Sequence, residues 1–168
     1  MTISIITATY NSAATLRDAF ESVLRQDYTD YEYIVVDGGS TDATLQIVDR
    51  YRHCIQRVIS EPDRGLYDAM NKGMRLATGG YICFLNAGDC FHDDMVLTRV
   101  AEAAAKAEKM PAVVYGDTHI VDGEGNFLHP RHLSPPEHLT WRSFRNGMLV
   151  CHQAFFARTD LARRFHYN

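Results

Sequence analysis

One stretch, residues 81–89, constrains this chain more than any other: it reads Y-I-C-F-L-N-A-G-D. Tyr81, Ile82, Cys83, Phe84 and Leu85 form a continuous apolar run of β-branched and aromatic character, opened by Gly79 and Gly80. A short run without alternation is how a strand buried on both faces reads. The polar turn Asn86, Ala87, Gly88, Asp89 follows it directly. In an open α/β sheet the carboxyl ends of the strands are where ligands bind. Asp89 offers a hard oxygen suited to Mg²⁺ or Mn²⁺. It, or Asp93 just beyond, is equally placed to cap the helix that follows.

The neighbouring segments repeat this pattern. Residues 2–9, rich in Ile and Thr, read as a first strand broken by Tyr10, Asn11 and Ser12. Asn11 or Ser12 is placed to cap a helix running to about Gln26, in which Leu16, Ala19, Phe20, Val23 and Leu24 recur at helical spacing. Residues 33–36 form a second buried strand, after which Thr41 or Asp42 opens a helix carrying Leu45, Ile47, Val48 and Tyr51. A third strand is expected over 57–60. It leads into a loop at Glu61, Pro62, Asp63, Arg64 and Gly65, where proline bars a sheet interior and glycine permits a turn.

A helix over 66–77 precedes the organising strand. Beyond it the pattern predicts a helix over 95–109, a strand over 113–117 and a hairpin over 118–128 with its loop at 122–126. An irregular segment then runs to Asn146, followed by a strand over 148–158 and the start of a helix at Thr159 and Asp160. Strands alternating with helices in this order predict an α/β fold with a mostly parallel central sheet, right-handed crossovers and helices on both faces.

At 168 residues the chain fits one domain, with no linker to divide it. A formal net charge of −4 argues against a nucleic-acid binder, which usually shows a basic face. Cys54, Cys83, Cys90 and Cys151 contain no C-x-x-C pair, which suits free thiols in a reducing compartment. No run approaches the ~18–20 apolar residues of a membrane span and no signal core opens the chain, so a cytoplasmic location is expected. Arg142, Arg145, Arg158, Arg163 and Arg164 crowd its last part, which fits a peripheral contact on the inner face of a membrane or simply a solvated face. Nothing in the sequence sets an oligomeric state.

Three expected strands end in polar clusters, at residues 7–11, 37–42 and 86–89, and in a parallel sheet those ends converge on one rim. Such a rim can hold a nucleotide. Asp37 can accept a base N–H, and Gly38 and Gly39 let a flat base approach the backbone. An Asx-type turn with a helix cap accounts for the same residues. The chain contains no G-x-G-x-x-G, no G-x-x-x-x-G-K-[ST] and no G-x-S-x-G, which removes the common alternatives for such a sheet.

Four motifs in order carry a resemblance: S-I-I-T-A-T-Y-N, V-V-D-G-G-S-T-D, E-P-D-R-G-L-Y-D-A-M-N-K-G and Y-I-C-F-L-N-A-G-D, with C-H-Q at 151–153. Together they resemble the family 2 glycosyltransferases of the GT-A fold, most of all the bacterial branch that builds capsular, exopolysaccharide or O-antigen chains. The resemblance implies transfer of a sugar from a nucleotide-diphosphate donor, usually a UDP-sugar, with inversion. The acceptor would be a saccharide or lipid-linked hydroxyl, and Mn²⁺ or Mg²⁺ would assist. Residues 1–117 would form the nucleotide-binding half of the domain and 118–168 part of an acceptor side.

By the same resemblance Thr7, Thr9 and Tyr10 would border the nucleotide, Asp37 and Gly38 would meet its base, and Arg64 would approach base or phosphate. Asp68, Asn71 and Lys72 would follow on the next helix, where an exposed polar face is the plainer account. Asn86, Ala87 and Gly88 would line the donor, and Asp89 would hold the metal. Family members commonly carry D-x-D or D-D at this turn. Here Asn86 and Gly88 stand in for two acids, so an ion should be held weakly until the diphosphate adds its own oxygens.

His152 would face donor sugar or acceptor and is the candidate catalytic residue, although a lone histidine beside an apolar strand is also an ordinary core residue. His129, His132 and His138 are expected on the surface. The acid that follows His152 is Asp160, which sits where a helix cap belongs. The general base is therefore expected beyond Asn168, in a longer parent of a chain that stops just as a helix begins. A non-catalytic nucleotide-sugar module is the alternative. A nucleotidyltransferase is a third class, for which residues 8–11 lack the basic, glycine-rich loop.

Overall fold

The computed structural model describes residues 1–168, apart from the side chain of Asn146. Eight strands and five helices succeed one another as β1 (Ile3–Thr9), α1 (Leu16–Leu24), β2 (Tyr31–Asp37), α2 (Thr44–Arg50), β3 (Arg57–Ser60), α3 (Leu66–Leu76), β4 (Tyr81–Phe84), α4 (Val96–Lys106), β5 (Val113–Tyr115), β6 (His119–Val121), β7 (Phe127–Pro130), β8 (Phe155–Arg158) and α5 (Thr159–Ala162). The main sheet has the order β3-β2-β1-β4-β8-β5. Its first four strands run parallel, whereas β8 is antiparallel to both of its neighbours. The expected mostly parallel α/β sheet is thus present, with one reversed strand inside it.

Alternation along the strands distributes two cores. Ile3 and Ile5 of β1, Tyr33 and Val35 of β2, and Tyr81 and Cys83 of β4 face Leu16, Phe20 and Val23 of α1, Val48 of α2 and Leu97 of α4. Ile6, Ala8, Ile34, Val36, Ile82 and Phe84 face Ala69, Met70 and Met74 of α3. Gly73 lets α3 press onto the sheet: a Cβ there would stand 2.4 Å from Cγ2 of Ile6. The last residues return to the same helix. Asn71 grips the backbone of Tyr167 from both sides (2.8 and 3.0 Å), and the Tyr167 ring stacks on Tyr67.

Register is set at the amino ends. Ile3 lies opposite both Tyr31 and Tyr81. The buried carboxylate of Glu32 accepts from Ser4 Oγ (2.5 Å), Thr78 Oγ1 (2.9 Å), Gly79 N (2.9 Å) and Thr78 N, joining β1, β2 and the turn before β4. Burial by itself would raise the Glu32 pKa, but these bonds prevail and hold it below the ordinary value.

Several expected details differ. Helix α1 begins at Leu16 with no side-chain cap, because the Asn11 side chain accepts from the loop after β2 and the Ser12 hydroxyl donates to Tyr10 O. Asp42 accepts from Thr44 N, but the residue that caps α2 is Ala43, not the expected Thr41 or Asp42. Asp93 takes the amide of Met95 and the guanidinium of Arg99 just ahead of α4. The expected hairpin is β6–β7 and forms its own small sheet, its loop closed by Asp122 accepting from the amides of Glu124 and Asn126. The strand expected over 148–158 is only Phe155–Arg158, preceded by a 3-10 turn at His152–Ala154. Among the clustered arginines, Arg158 pairs with Asp160 and Arg163 donates to carbonyls at the end of α3, so intramolecular contacts account for both. Among the described residues no helix is long and apolar enough to cross a membrane.

Glu32→Gln keeps the shape of this junction and removes its charge. At pH 7 it is expected to cost about 1.5–3 kcal/mol, lowering Tm by roughly 4–10 °C. A depressed carboxyl pKa contributes stability that is complete above the ordinary value of 4.5 and fades as pH falls through the lower folded value. Thermal melts from pH 7 to 2 should therefore show a shallower acid decline in the variant than in the parent.

Candidate functional site

The level amino ends bring the carboxyl ends out level too. Thr9 lies opposite Asp37, and Asp37 opposite Ser60. Gly38 N donates to Thr9 O (2.9 Å), and past the end of β4 Leu85 N and Ala87 N donate to Ile6 O and Ala8 O. The three polar clusters therefore share one rim, as the strand order requires.

The turn after β2 is closed from within. Asp37 is fully buried, and its carboxylate accepts from Gly39 N (3.1 Å), Ser40 N (3.0 Å), Ser60 Oγ (2.7 Å) and Ser40 Oγ. This is the Asx-type turn, and it leaves no oxygen of Asp37 facing a ligand. Thr7, expected beside the nucleotide, is likewise fully buried, bonded to Tyr33 Oη (2.9 Å) and Leu85 O (2.6 Å). Both residues build the rim from inside. Tyr10 by contrast is 60% exposed. Asn11, with a φ of +48°, accepts from Thr41 N and Asp42 N and ties the loops after β1 and β2 together.

The loop between β3 and α3 lies against this turn. Lys72 reaches back from α3 to Glu61 (2.9 Å) and to the carbonyl of Pro62 (3.1 Å), with Asp68 at 3.6 Å. Asp68 also accepts from Arg64 N (3.2 Å). Lys72 and Asp68 thus clamp the loop, while the guanidinium of Arg64 has no hydrogen-bond partner among the described residues.

Beyond β4 the rim is less saturated. Asn86 donates from Nδ2 to Nε2 of His152 (3.0 Å), which leaves its buried Oδ1 without a partner. Thr9 Oγ1 is also buried and unpartnered. Gly88, with a φ of +96°, turns the chain so that the half-buried Asp89 accepts from Gln153 Nε2 (2.9 Å). The reversal of β8 delivers His152 and Gln153 here: Arg158 pairs with Tyr81 at the far edge, so the residues before Phe155 arrive at the rim. The same geometry carries Asp160 to the opposite edge, away from the candidate site. Asp89 is therefore not a helix cap, and His152 does not belong to the apolar core.

Burial acts oppositely on these two groups. It pushes the Asp89 carboxyl above its ordinary value, against the Gln153 bond and the nearby His152. It pushes His152 below its ordinary value, against Asp89. The imidazole is thus neutral at pH 7. One carboxylate and one amide oxygen are a fitting but incomplete shell for a hard divalent ion. Among the described residues no group of three His, Cys, Asp or Glu side chains forms a metal site. The sequence suggested for Asn11 only a helix cap and for Gln153 and Asp63 no role, although each stands within a quoted motif.

Comparison with known proteins agrees with this layout. Residues 4–165 match the family described as Glycosyl transferase family 2. A PGL/p-HBAD biosynthesis glycosyltransferase of Mycobacterium bovis is 38% identical over 94% of this chain and 59% of its own length. The Escherichia coli chondroitin synthase is 31% identical over 89% of this chain and 21% of its own length. The chain thus spans about three-fifths of the mycobacterial relative. The crystal structure of S. aureus TarS 1-349 in complex with UDP superposes with a TM-score of 0.78 at 25% identity, covering 98% of this chain and 48% of that one. The mannosyltransferase PcManGT of Pyrobaculum calidifontis, in complex with GDP-Man and Mn²⁺, gives a TM-score of 0.61 at 26% identity over 68% of this chain and 34% of that one. The fold is GT-A, as the sequence motifs implied.

Gln153→Ala removes the hydrogen bond that opposes the rise of the Asp89 pKa. In carboxyl-detected NMR titrations, Asp89 is expected to titrate at higher pH in this variant than in the parent, with the fold unchanged.

Proposed function

The chain belongs to glycosyl transferase family 2, and on that premise we propose that it moves a sugar from a UDP-sugar to a hydroxyl of a saccharide or lipid-linked acceptor, with inversion, in bacterial capsule, exopolysaccharide or O-antigen synthesis. One observation carries this reading. Two buried oxygens at the rim, Thr9 Oγ1 and Asn86 Oδ1, lack any partner among the described residues. An unmet buried acceptor costs about 1–3 kcal/mol, and such groups call for a ligand or ordered water. The likeness to the UDP complex of TarS supports uridine, and the likeness to chondroitin synthase supports a saccharide acceptor.

Thr9, Tyr10, Gly38 and Arg64 would flank the nucleotide, and Asn86, Ala87 and Gly88 would line the donor. Asp89, with Asn86 Oδ1 beside it, would hold Mn²⁺ or Mg²⁺, in keeping with the Mn²⁺ complex of PcManGT. When bound, such an ion stabilises charge on the departing diphosphate. Gln153 fixes the Asp89 carboxylate in direction. His152, neutral through burial, has its basic Nε2 held by the Asn86 amide. In place of the general base expected beyond Asn168, His152 is suited to receive a proton from the acceptor hydroxyl, a role of roughly 10²–10⁴-fold in rate.

Thermal shift and calorimetry with UDP and UDP-sugars test the reading. Saturation to about 100 times Kd contributes about 2.7 kcal/mol, a rise in Tm of roughly 5–11 °C. Mn²⁺ should bind weakly alone and strengthen UDP binding, and Asp89→Asn should remove that gain. Tight Mn²⁺ binding without nucleotide, or no response to any uridine nucleotide, would overturn the assignment. Binding without transfer or donor hydrolysis would make the chain a nucleotide-sugar module. Where turnover occurs, its rate should hold through the ordinary histidine value near 6.5, fall only at lower pH because burial depresses the His152 pKa, and lose that acid limb in His152→Asn.

A further inference from the structure

The segment between β7 and β8 leaves large apolar side chains in water. It contains a 3-10 turn at Trp141–Asn146, fixed at its start by Ser143 Oγ accepting from Thr140 N (3.1 Å) and at its end by Gly147 N donating to Phe144 O (3.3 Å). Arg131 ties the two sides of the segment together, donating to the carbonyls of Leu133, Met148 and Leu149. Leu133 also lies against Gly147, where a Cβ would stand 3.3 Å from its Cδ1. The backbone is thus pinned, yet Trp141 is 80% exposed, Met148 65% and Leu133 40%. One exposed apolar side chain needs no explanation, but three on one short, pinned segment mark a contact surface.

Charge indicates what covers it. Residues 129–149 carry Arg131, Arg142 and Arg145 against one acid, Glu137, in a chain of formal net charge −4. The arginine ion pairs among the described residues are those of Arg25, Arg99 and Arg158, so Arg142 and Arg145, both exposed, meet no carboxylate there. The Arg142 guanidinium lies over the Trp141 ring, 5.2 Å from its centroid. Tryptophan and arginine suit the boundary of a bilayer, where the indole sits at headgroup depth and a long cationic side chain reaches the phosphates. Nucleic acid would call for a broader basic face than this chain has.

We propose that Trp141, Met148 and Leu133, with the unpaired Arg142 and Arg145, dock this chain on an anionic lipid surface. The docking needs no sugar transfer and stands apart from the reading above. Its consequence for that reading is positional. Met148 and His152 are four residues apart, at most about 14 Å of chain, so a docked segment holds the rim close to the headgroups, where a lipid-linked acceptor would present its hydroxyl.

Trp141 is the single tryptophan of the chain, so its fluorescence reports the contact directly. The 168-residue chain is mixed with vesicles of equal parts phosphatidylcholine and phosphatidylglycerol, or of phosphatidylcholine alone. On the anionic vesicles the emission should shift to the blue and the protein should co-sediment, less so as salt screens the charges. Each arginine near a charged membrane contributes about fivefold in affinity, so Arg142→Gln with Arg145→Gln should weaken binding roughly 25-fold. Trp141→Ser, read by co-sedimentation, should weaken it about 10-fold. Equal Tm values exclude unfolding as the cause, and the blue shift of the parent carries the test if a variant melts early. No binding to anionic vesicles, equal binding to neutral ones, or binding that these variants leave unchanged overturns the proposal. A blue shift that grows with protein concentration without lipid overturns it in favour of a second copy of the chain. A shift with soluble glycerol phosphate alone overturns it in favour of a small-anion site.

Discussion

The Glu32 carboxylate, buried at the amino ends of the parallel strands, is the constraint on which the rest of this structure depends. Its bonds to Ser4, Thr78 and Gly79 join β1, β2 and the entry to β4. Gly79 allows the close approach, since a Cβ there would stand 2.7 Å from Ser4 Oγ. A one-residue slip in a strand exchanges its faces. Such a slip in β4 would exchange Ile82 and Phe84 for Cys83 in the α3-facing core and turn the Asn86 amide away from His152. The level carboxyl rim is therefore a consequence of a polar contact at the opposite edge.

The rim itself combines saturation with vacancy. Asp37, Asn11 and Lys72 spend their hydrogen-bonding capacity inside the protein and fix three loops against one another. Thr9 Oγ1 and Asn86 Oδ1 do not. Rigid surroundings keep these two oxygens from finding partners by a small side-chain shift, so their unmet demand is directed at whatever enters the rim. Burial also raises the pKa of Asp89 and lowers that of His152, so it opposes the charged form of each.

Much of this was legible in the chain. Continuous apolar runs at 33–36 and 81–85 marked strands buried on both faces, and helical spacing in residues 16–24 and 66–77 marked their cover. The polar ends of three strands had to meet once those strands were parallel. Less legible were the roles within those ends. Asp37 carries the residue type for reading a base, but whether its oxygens face outward depends on Ser60, a residue of another strand. Asn71 and Lys72 carry binding-type side chains, yet the first holds Tyr167 and the second holds the loop at Pro62.

By itself the sequence determined the layer order, the buried faces and the common edge of Thr9, Asp37 and Asp89, because hydrophobic periodicity and parallel connection are local, cumulative signals. Only the tertiary structure decided that β8 runs backwards and brings His152 and Gln153 to Asn86 and Asp89. Only it placed the Asp63 carboxylate on Gly38. Strand direction and the filling of a missing side chain's space depend on contacts between residues far apart in the chain, and no spacing along the chain encodes them.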